Sequence, residues 1–293
     1  MKILITGSKG QLGTQMTNMI NAKESELGKI NTIYNEAEVK GIDLEELDIA
    51  DLNDTRSIVV DFAPNLVINC AAYTNVDGCE ANEDAAFKAN SIGPRNLAMA
   101  CEEIEAKLVH ISTDYVFSGS GYRPYREYDA ANPINVYGKT KLLGERYVQQ
   151  LCSKYFIVRT SWLYGLSGNN FVKTIIKAAN ANSSLNVVND QRGNPTNAED
   201  LAYHILKLAL TEEYGIYHCT GSGECSWYDF ACKIVEYLKL DCTIKPVTTE
   251  EYKKGAIRPV FSSLDNMMLR CTIGDEMRPW QEALKMFTNQ LNK

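Results

Sequence analysis

The 293-residue sequence predicts an α/β fold, a doubly wound parallel sheet followed by a smaller C-terminal lobe, on three observations. Short apolar runs suited to buried strands alternate with amphipathic helical stretches through the first half of the chain. The first of those runs opens directly into a glycine-rich turn and a helix. Beyond about Leu166 the alternation loosens into mixed short elements.

Ile3, Leu4 and Ile5 form the first run, closed by Thr6-Gly7, and glycines recur at Gly7, Gly10 and Gly13 before a helical pattern at Leu12, Met16, Met19 and Ile20. A glycine turn at a strand–helix junction lets backbone approach a diphosphate, and the helix N-terminus offers unpaired N–H groups and a positive dipole end. The spacing is G-x2-G-x2-G rather than the G-x-G-x-x-G fingerprint, yet it predicts a nucleotide cofactor on a Rossmann-type sheet. A second strand follows at Glu38–Ile42, closed by Asp43 after a polar insertion around 31–35. Residues 56–62 read as helix ended by Pro64, 66–70 as strand, 83–104 as one long helix, and 107–111 as strand. Next come a helix over 135–151 and a strand over 155–158; later helices are expected at 201–210 and 227–240, with turns at 190–195 and 221–223. The expected division is a dinucleotide-binding domain over 1–165, to which later segments return, and a mainly substrate-binding lobe over 166–293.

A net charge of −7 argues against nucleic-acid and anionic-membrane partners while allowing a local basic pocket. No charged leader and no apolar run of about 18 residues is present, so a cytoplasmic location is expected. Nine cysteines without a C-x2-C pair predict reduced, mostly buried thiols rather than disulfides or metal ligands. With three histidines, no metal site is expected.

In open α/β sheets ligands gather at the carboxyl ends of strands. Asp43 there suits the adenosine ribose hydroxyls, or a solvated turn; Asp48 and Ile49 could border the adenine. Ala71, Ala72, Tyr73 and Thr74 follow the next strand and are mostly small enough for a dinucleotide to lie across the sheet edge. Thr113, in Ser112-Thr113-Asp114-Tyr115, offers a hydroxyl directly after a strand. Tyr137 and Lys141, at i and i+4, project from one helix face, so an ammonium near the phenol would lower its pKa and make it a proton donor or acceptor. Lys141 could also hold the nicotinamide ribose.

With these residues in place, the chain resembles the extended short-chain dehydrogenase/reductases and, within them, the dTDP-4-dehydrorhamnose reductases. The matching segments are GSKGQLG at 7–13, LDIAD at 47–51, NCAAYTNVDGCE at 69–80, HISTDYVFSG at 110–119, NVYGKTKLLGE at 135–145, RTSWLYG at 159–165, GNNF at 168–171, NDQRGNPT at 189–196, GIYHCTGSGECSWYDFA at 215–231 and IRPVFSSLDN at 257–266. The resemblance implies reduction of the C4 ketone of dTDP-4-dehydro-L-rhamnose with NADPH or NADH. Tyr137 would be the proton donor, Lys141 its partner and Thr113 the tuning hydroxyl. It implies cofactor contacts from Gly7, Gly10, Gln11, Leu12, Asp43, Asp48, Ile49, Ala72, Tyr73 and Thr74, and nucleotide-sugar contacts from Thr113, Asp114, Tyr115 and Trp162. Trp162 is alternatively core packing, and Arg258 is either a diphosphate contact or a surface salt bridge. Some relatives dimerise through magnesium held by glutamates; Gln15 stands at one such position, which argues against that bridge and leaves a homodimer open. Two alternatives share the same residues: another nucleotide-sugar reductase or epimerase, and a non-catalytic regulatory subunit like the methionine adenosyltransferase beta subunit.

Overall fold

In the computed structural model, which describes residues 1–252 and 255–291, six parallel strands form the central sheet. The expected lobe, 166–293, therefore includes four positions outside the described residues. The strands are β1 Lys2–Thr6, β2 Glu38–Ile42, β3 Leu66–Asn69, β4 Lys107–Thr113, β5 Tyr155–Thr160 and β6 Gly215–His218. Their order is β2-β1-β3-β4-β5-β6, so the direction of winding reverses between β1 and β3. A crevice opens at the carboxyl edge of such a switch point.

Both faces of the sheet are covered, which is why the strand sequences are almost continuously apolar. Ile3 and Ile5 point to a layer made by α1 (Gln11–Ala22) and a helix at Ala198–Ala209, meeting Met16, Leu201 and Ile205. Leu4 points the other way, with Val67 and Leu108, against α2 (Leu52–Phe62), α3 (Gly93–Glu103) and α4 (Val136–Leu151). Each such fully buried aliphatic contributes about 1.5–3 kcal/mol. The later lobe has its own core: helices α5 (Phe171–Ala181), α7 (Trp227–Leu238) and α8 (Trp280–Leu291) pack on a parallel strand pair, Ser184–Val188 with Thr243–Val247. The Ala198–Ala209 helix, α6, and β6 belong to the central sheet's layers although they lie beyond residue 165.

Side-chain caps set several boundaries. Asp51 accepts from Asp54 N at the start of α2, Asn135 from Gly138 N at the start of α4, and Ser226 and Asp229 form a reciprocal capping box on α7. The helix expected over 83–104 is divided: Glu83–Phe87, a wider turn at Lys88–Ile92, then α3. Pro94 explains the wide turn, since it has no N–H to return to the carbonyl four residues back. β4 runs to Thr113 rather than Ile111 because Ser112 and Thr113 pair with Arg159 and Thr160 on β5.

Candidate active site

A cleft of about 650 Å³ lies at the β1/β3 switch point. Gly7, Gly10, Asp43, Asp48, Ile49, Ala72 and Tyr73 line it. Gly7 has φ +66°, and a Cβ there would come within 2.7 Å of Ala71 N, so only glycine lets the two backbone segments close this edge. The first amides of α1 have no intrahelical partner and point out of its N-terminus. That cradle of bare backbone fits the diphosphate of a dinucleotide.

Five residues expected to contact the cofactor do not line the cleft: Tyr137 and Lys141, which stand beyond it, and Gln11, Leu12 and Thr74. The Leu12 side chain is buried in the core beneath the sheet, leaving only its amide available. The Gln11 side chain donates to Leu163 O at 3.1 Å and accepts from Asn170 Nδ2 at 2.8 Å, tying the helix start to the lobe. Thr74 is exposed beyond the rim. Lys9, Ala85, Lys88 and Ala89 line the cleft without having been anticipated. Ala85, Lys88 and Ala89 recur at helical spacing, the one sequence signal that could have marked a lining face. The Asp43 carboxylate accepts from Lys9 N at 2.9 Å and Leu44 N at 2.8 Å, which holds it at the strand end.

Tyr137, on the first turn of α4, packs beside the cleft-lining Tyr73 and meets the edge of Tyr115, ring centroids 5.8 Å apart. Gly138 makes this approach possible, since a Cβ there would sit 2.1 Å from Tyr115 O. Thr113 Oγ1 donates to Asp114 Oδ1 at 3.0 Å and accepts from Tyr115 N at 3.2 Å. The expected acidification of Tyr137 by Lys141 is not what the structure has. Burial pushes the phenol above its ordinary value, opposed by the Thr113 hydroxyl. Lys141 Nζ is engaged elsewhere, donating to Ile111 O at 2.6 Å beside His110 Nε2. Burial pushes the Lys141 amine down to about 8, against the influence of Glu145 and Cys70.

Asp114 is buried and its Oδ2 has no hydrogen-bond partner. Burial pushes its carboxyl up to about 7, with the Ser262 and Thr113 hydroxyls opposing. The folded chain therefore keeps a proton that the unfolded chain releases, and this group's contribution to stability falls as pH rises from 3.8 to about 7. Asp114→Asn is expected to raise the melting temperature at pH 8 and to lose that advantage toward pH 4; calorimetry at the two pH values checks it.

Arg258 acts on the Tyr115 phenol, opposing the upward push of burial, and its Nη2 lies 3.1 Å from both carboxylate oxygens of Asp77. Arg258 thus forms a salt bridge. Trp162 adopts φ +46° and stacks on Trp227, centroids 3.5 Å apart at 9°. One of its faces is therefore taken by protein. Gln15, the position considered for a metal bridge, donates from Nε2 to Glu199. Among the described residues no group of three or more His, Cys, Asp or Glu could hold a metal ion, and no helix is long and apolar enough to cross a membrane.

The family model described as RmlD substrate binding domain matches residues 1–293. The crystal structure of a dTDP-4-dehydrorhamnose reductase, an RfbD ortholog from Clostridium acetobutylicum, is similar with a TM-score of 0.94 and 46% identity, covering 100% of both chains. That of dTDP-4-dehydrorhamnose reductase from Bacillus anthracis, in complex with NADP, has a TM-score of 0.92 and 42% identity over 99% of both chains. The spore coat polysaccharide biosynthesis protein SpsK of Bacillus subtilis is 40% identical over 99% of this chain and 97% of its own.

Proposed function

The chain belongs to the RmlD substrate binding domain family, and on that premise we propose that it reduces the C4 ketone of dTDP-4-dehydro-L-rhamnose to dTDP-L-rhamnose with NADPH or NADH. The observation that carries the reading is that Tyr137, with the Thr113 hydroxyl acting on its phenol, packs against Tyr73, which lines the glycine-turn cleft at the switch point. When bound, the nicotinamide supplies a hydride to the carbonyl carbon. Tyr137 gives its hydroxyl proton to the carbonyl oxygen, completing the alcohol. Thr113, adjoining the phenol, orients that oxygen. Lys141, buried behind them, stabilises the phenolate left by proton donation and anchors the ribose.

Gly7, Gly10 and the amides of Gln11 and Leu12 serve the diphosphate, Asp43 the adenosine ribose, Asp48 and Ile49 the adenine side, and Ala72, Tyr73 and Thr74 the sheet edge. Asp114, Tyr115, Trp162 and Arg258 serve the nucleotide sugar. For Arg258 a sugar-nucleotide diphosphate would replace the half-exposed Asp77 carboxylate, an exchange of one anion for another. Residues 1–165 with the returning α6 and β6 would form the dinucleotide side, and most of 166–293 the sugar side.

Following NADH and NADPH oxidation with enzymatically generated dTDP-4-dehydro-L-rhamnose tests the reading. Substrate-dependent oxidation is expected, and Asp43→Ser should raise kcat/KM for NADPH relative to NADH by relieving repulsion of a 2′-phosphate. Oxidation with other 4-keto sugar nucleotides but not with this one would reject the assigned sugar.

A further inference from the structure

Behind the Tyr137 side of the cleft, a polar chain crosses the apolar sheet from β1 to α4. Thr6 at the end of β1, Asn69 at the end of β3, His110 within β4 and Lys141 on α4 are each at most 2% exposed. Thr6 Oγ1 donates to Asn69 Oδ1 at 2.8 Å, and the Ala71 backbone N–H donates to the same oxygen at 3.1 Å. A backbone N–H can only donate, so this atom is fixed as the acceptor end of the amide. Asn69 Nδ2 consequently faces His110 Nδ1, at 3.0 Å. An amide nitrogen only donates, so Nδ1 must accept and carries no proton. Burial and the nearby Lys141 hold this imidazole well below its ordinary value, hence neutral, with its one proton on Nε2. Nε2 lies 3.5 Å from Lys141 Nζ.

We propose that His110, locked as the Nε2–H tautomer by Asn69, is a positioning residue for Lys141, presenting a donor to its Nζ. A donor facing an ammonium is a conflict, whereas facing a neutral amine it finds a lone pair. The arrangement makes Lys141 a group that readily gives up a proton rather than a fixed cation. The inference rests on the reading of Lys141 as the partner of Tyr137. In that role, passing a proton toward the phenolate left on Tyr137 would turn the Lys141 ammonium into the amine that His110 favours. The other titratable groups acting on Lys141 leave this logic intact. Cys70, from the turn after β3, is pushed up to about 12 by burial and stays a neutral thiol. Glu145, on α4 itself, favours the ammonium, but its carboxylate is already engaged by Arg159 at 2.7 and 2.9 Å and by Ser112.

The unmodified protein supplies the first test. His204 Nδ1 lies 2.8 Å from Asp200 O, and His218 Nδ1 lies 3.0 Å from Tyr125 O, so both must carry the proton on Nδ1. Imidazole ¹⁵N NMR is expected to show two Nδ1–H histidines and one Nε2–H histidine; three Nδ1–H histidines would overturn the inference. The second test is Asn69→Asp, an isosteric change whose carboxylate accepts from Nδ1–H and turns the Nε2 lone pair toward Lys141. Its ¹³Cε-lysine titration should place the Lys141 midpoint about one pH unit or more higher, a tenfold change in protonation ratio. The alkaline limb of kcat/KM should move with it. A reversed tautomer with an unmoved Lys141 midpoint would overturn the proposal, since a purely structural role lowers rate without moving that midpoint. Absence of turnover alongside the expected NMR results would instead count against the reductase reading alone.

Discussion

Tyr137→Phe is expected to lower kcat/KM for ketone reduction by about 10²–10⁴-fold, the usual worth of a positioned general acid, while leaving cofactor affinity in place. The ring is held by its packing against Tyr73 and by the edge of Tyr115, contacts that phenylalanine keeps. Only the hydroxyl and its contact with Thr113 are lost. Because burial raises the phenol above its ordinary value, Tyr137 carries its proton throughout the neutral range and is ready to donate in the reductive direction. Steady-state rates beside a titration of NADPH fluorescence check the split. Retained turnover would remove Tyr137 as the acid.

Glu145→Ala should be the most destabilising single change near the site. Arg159 donates to Glu145 from Nε at 2.9 Å and Nη2 at 2.7 Å, with the two side chains 4% and 1% exposed. Removing the carboxylate strands a buried guanidinium, a loss of about 3–5 kcal/mol, or on the order of 10 °C in melting temperature for a chain of this size. Replacing both partners by apolar residues of similar volume should recover much of that loss, because the desolvation of both charges disappears together. Thermal melts of the single and double variants decide the matter; an Ala variant within 1 kcal/mol of the parent would show that water or another anion reaches Arg159. The pair also matters to the site, since Ser112, next to Thr113, donates to the same carboxylate.

The central sheet was legible because a strand covered on both faces needs apolar residues at successive positions, and Ile3, Leu4 and Ile5 announce that directly. The cofactor edge followed, since the chain places a glycine turn after the first strand, whereas the position of the switch point depends on strand order. What the sequence could not disclose depends on contacts between distant segments. Tyr137 and Lys141 do share a helix face, but the direction of the ammonium is set by Ile111 O and His110, thirty residues earlier on a strand. The place of Trp162 just past a strand leaves sugar stacking and core packing both open, and what decides one of its faces, the stacked Trp227, lies 65 residues away. Gln11 sits where a diphosphate contact is expected, and the loop carrying Asn170 claims its side chain instead. Lys9 borders the cleft because the turn after β1 meets the helical segment around residue 88 there, and the helical spacing of Ala85, Lys88 and Ala89 marks a shared face without saying what it lines. The α5 helix escaped notice because its Phe171–Ala181 span lies in the region where the strand–helix alternation weakens.

The most direct measurement is a turnover of dTDP-4-dehydro-L-rhamnose with NADPH deuterated at nicotinamide C4, the sugar product being read by NMR. The account predicts dTDP-L-rhamnose carrying deuterium at sugar C4, with the wild type producing it and Tyr137→Phe nearly silent. Tight cofactor binding without any deuterium reaching the sugar would contradict it.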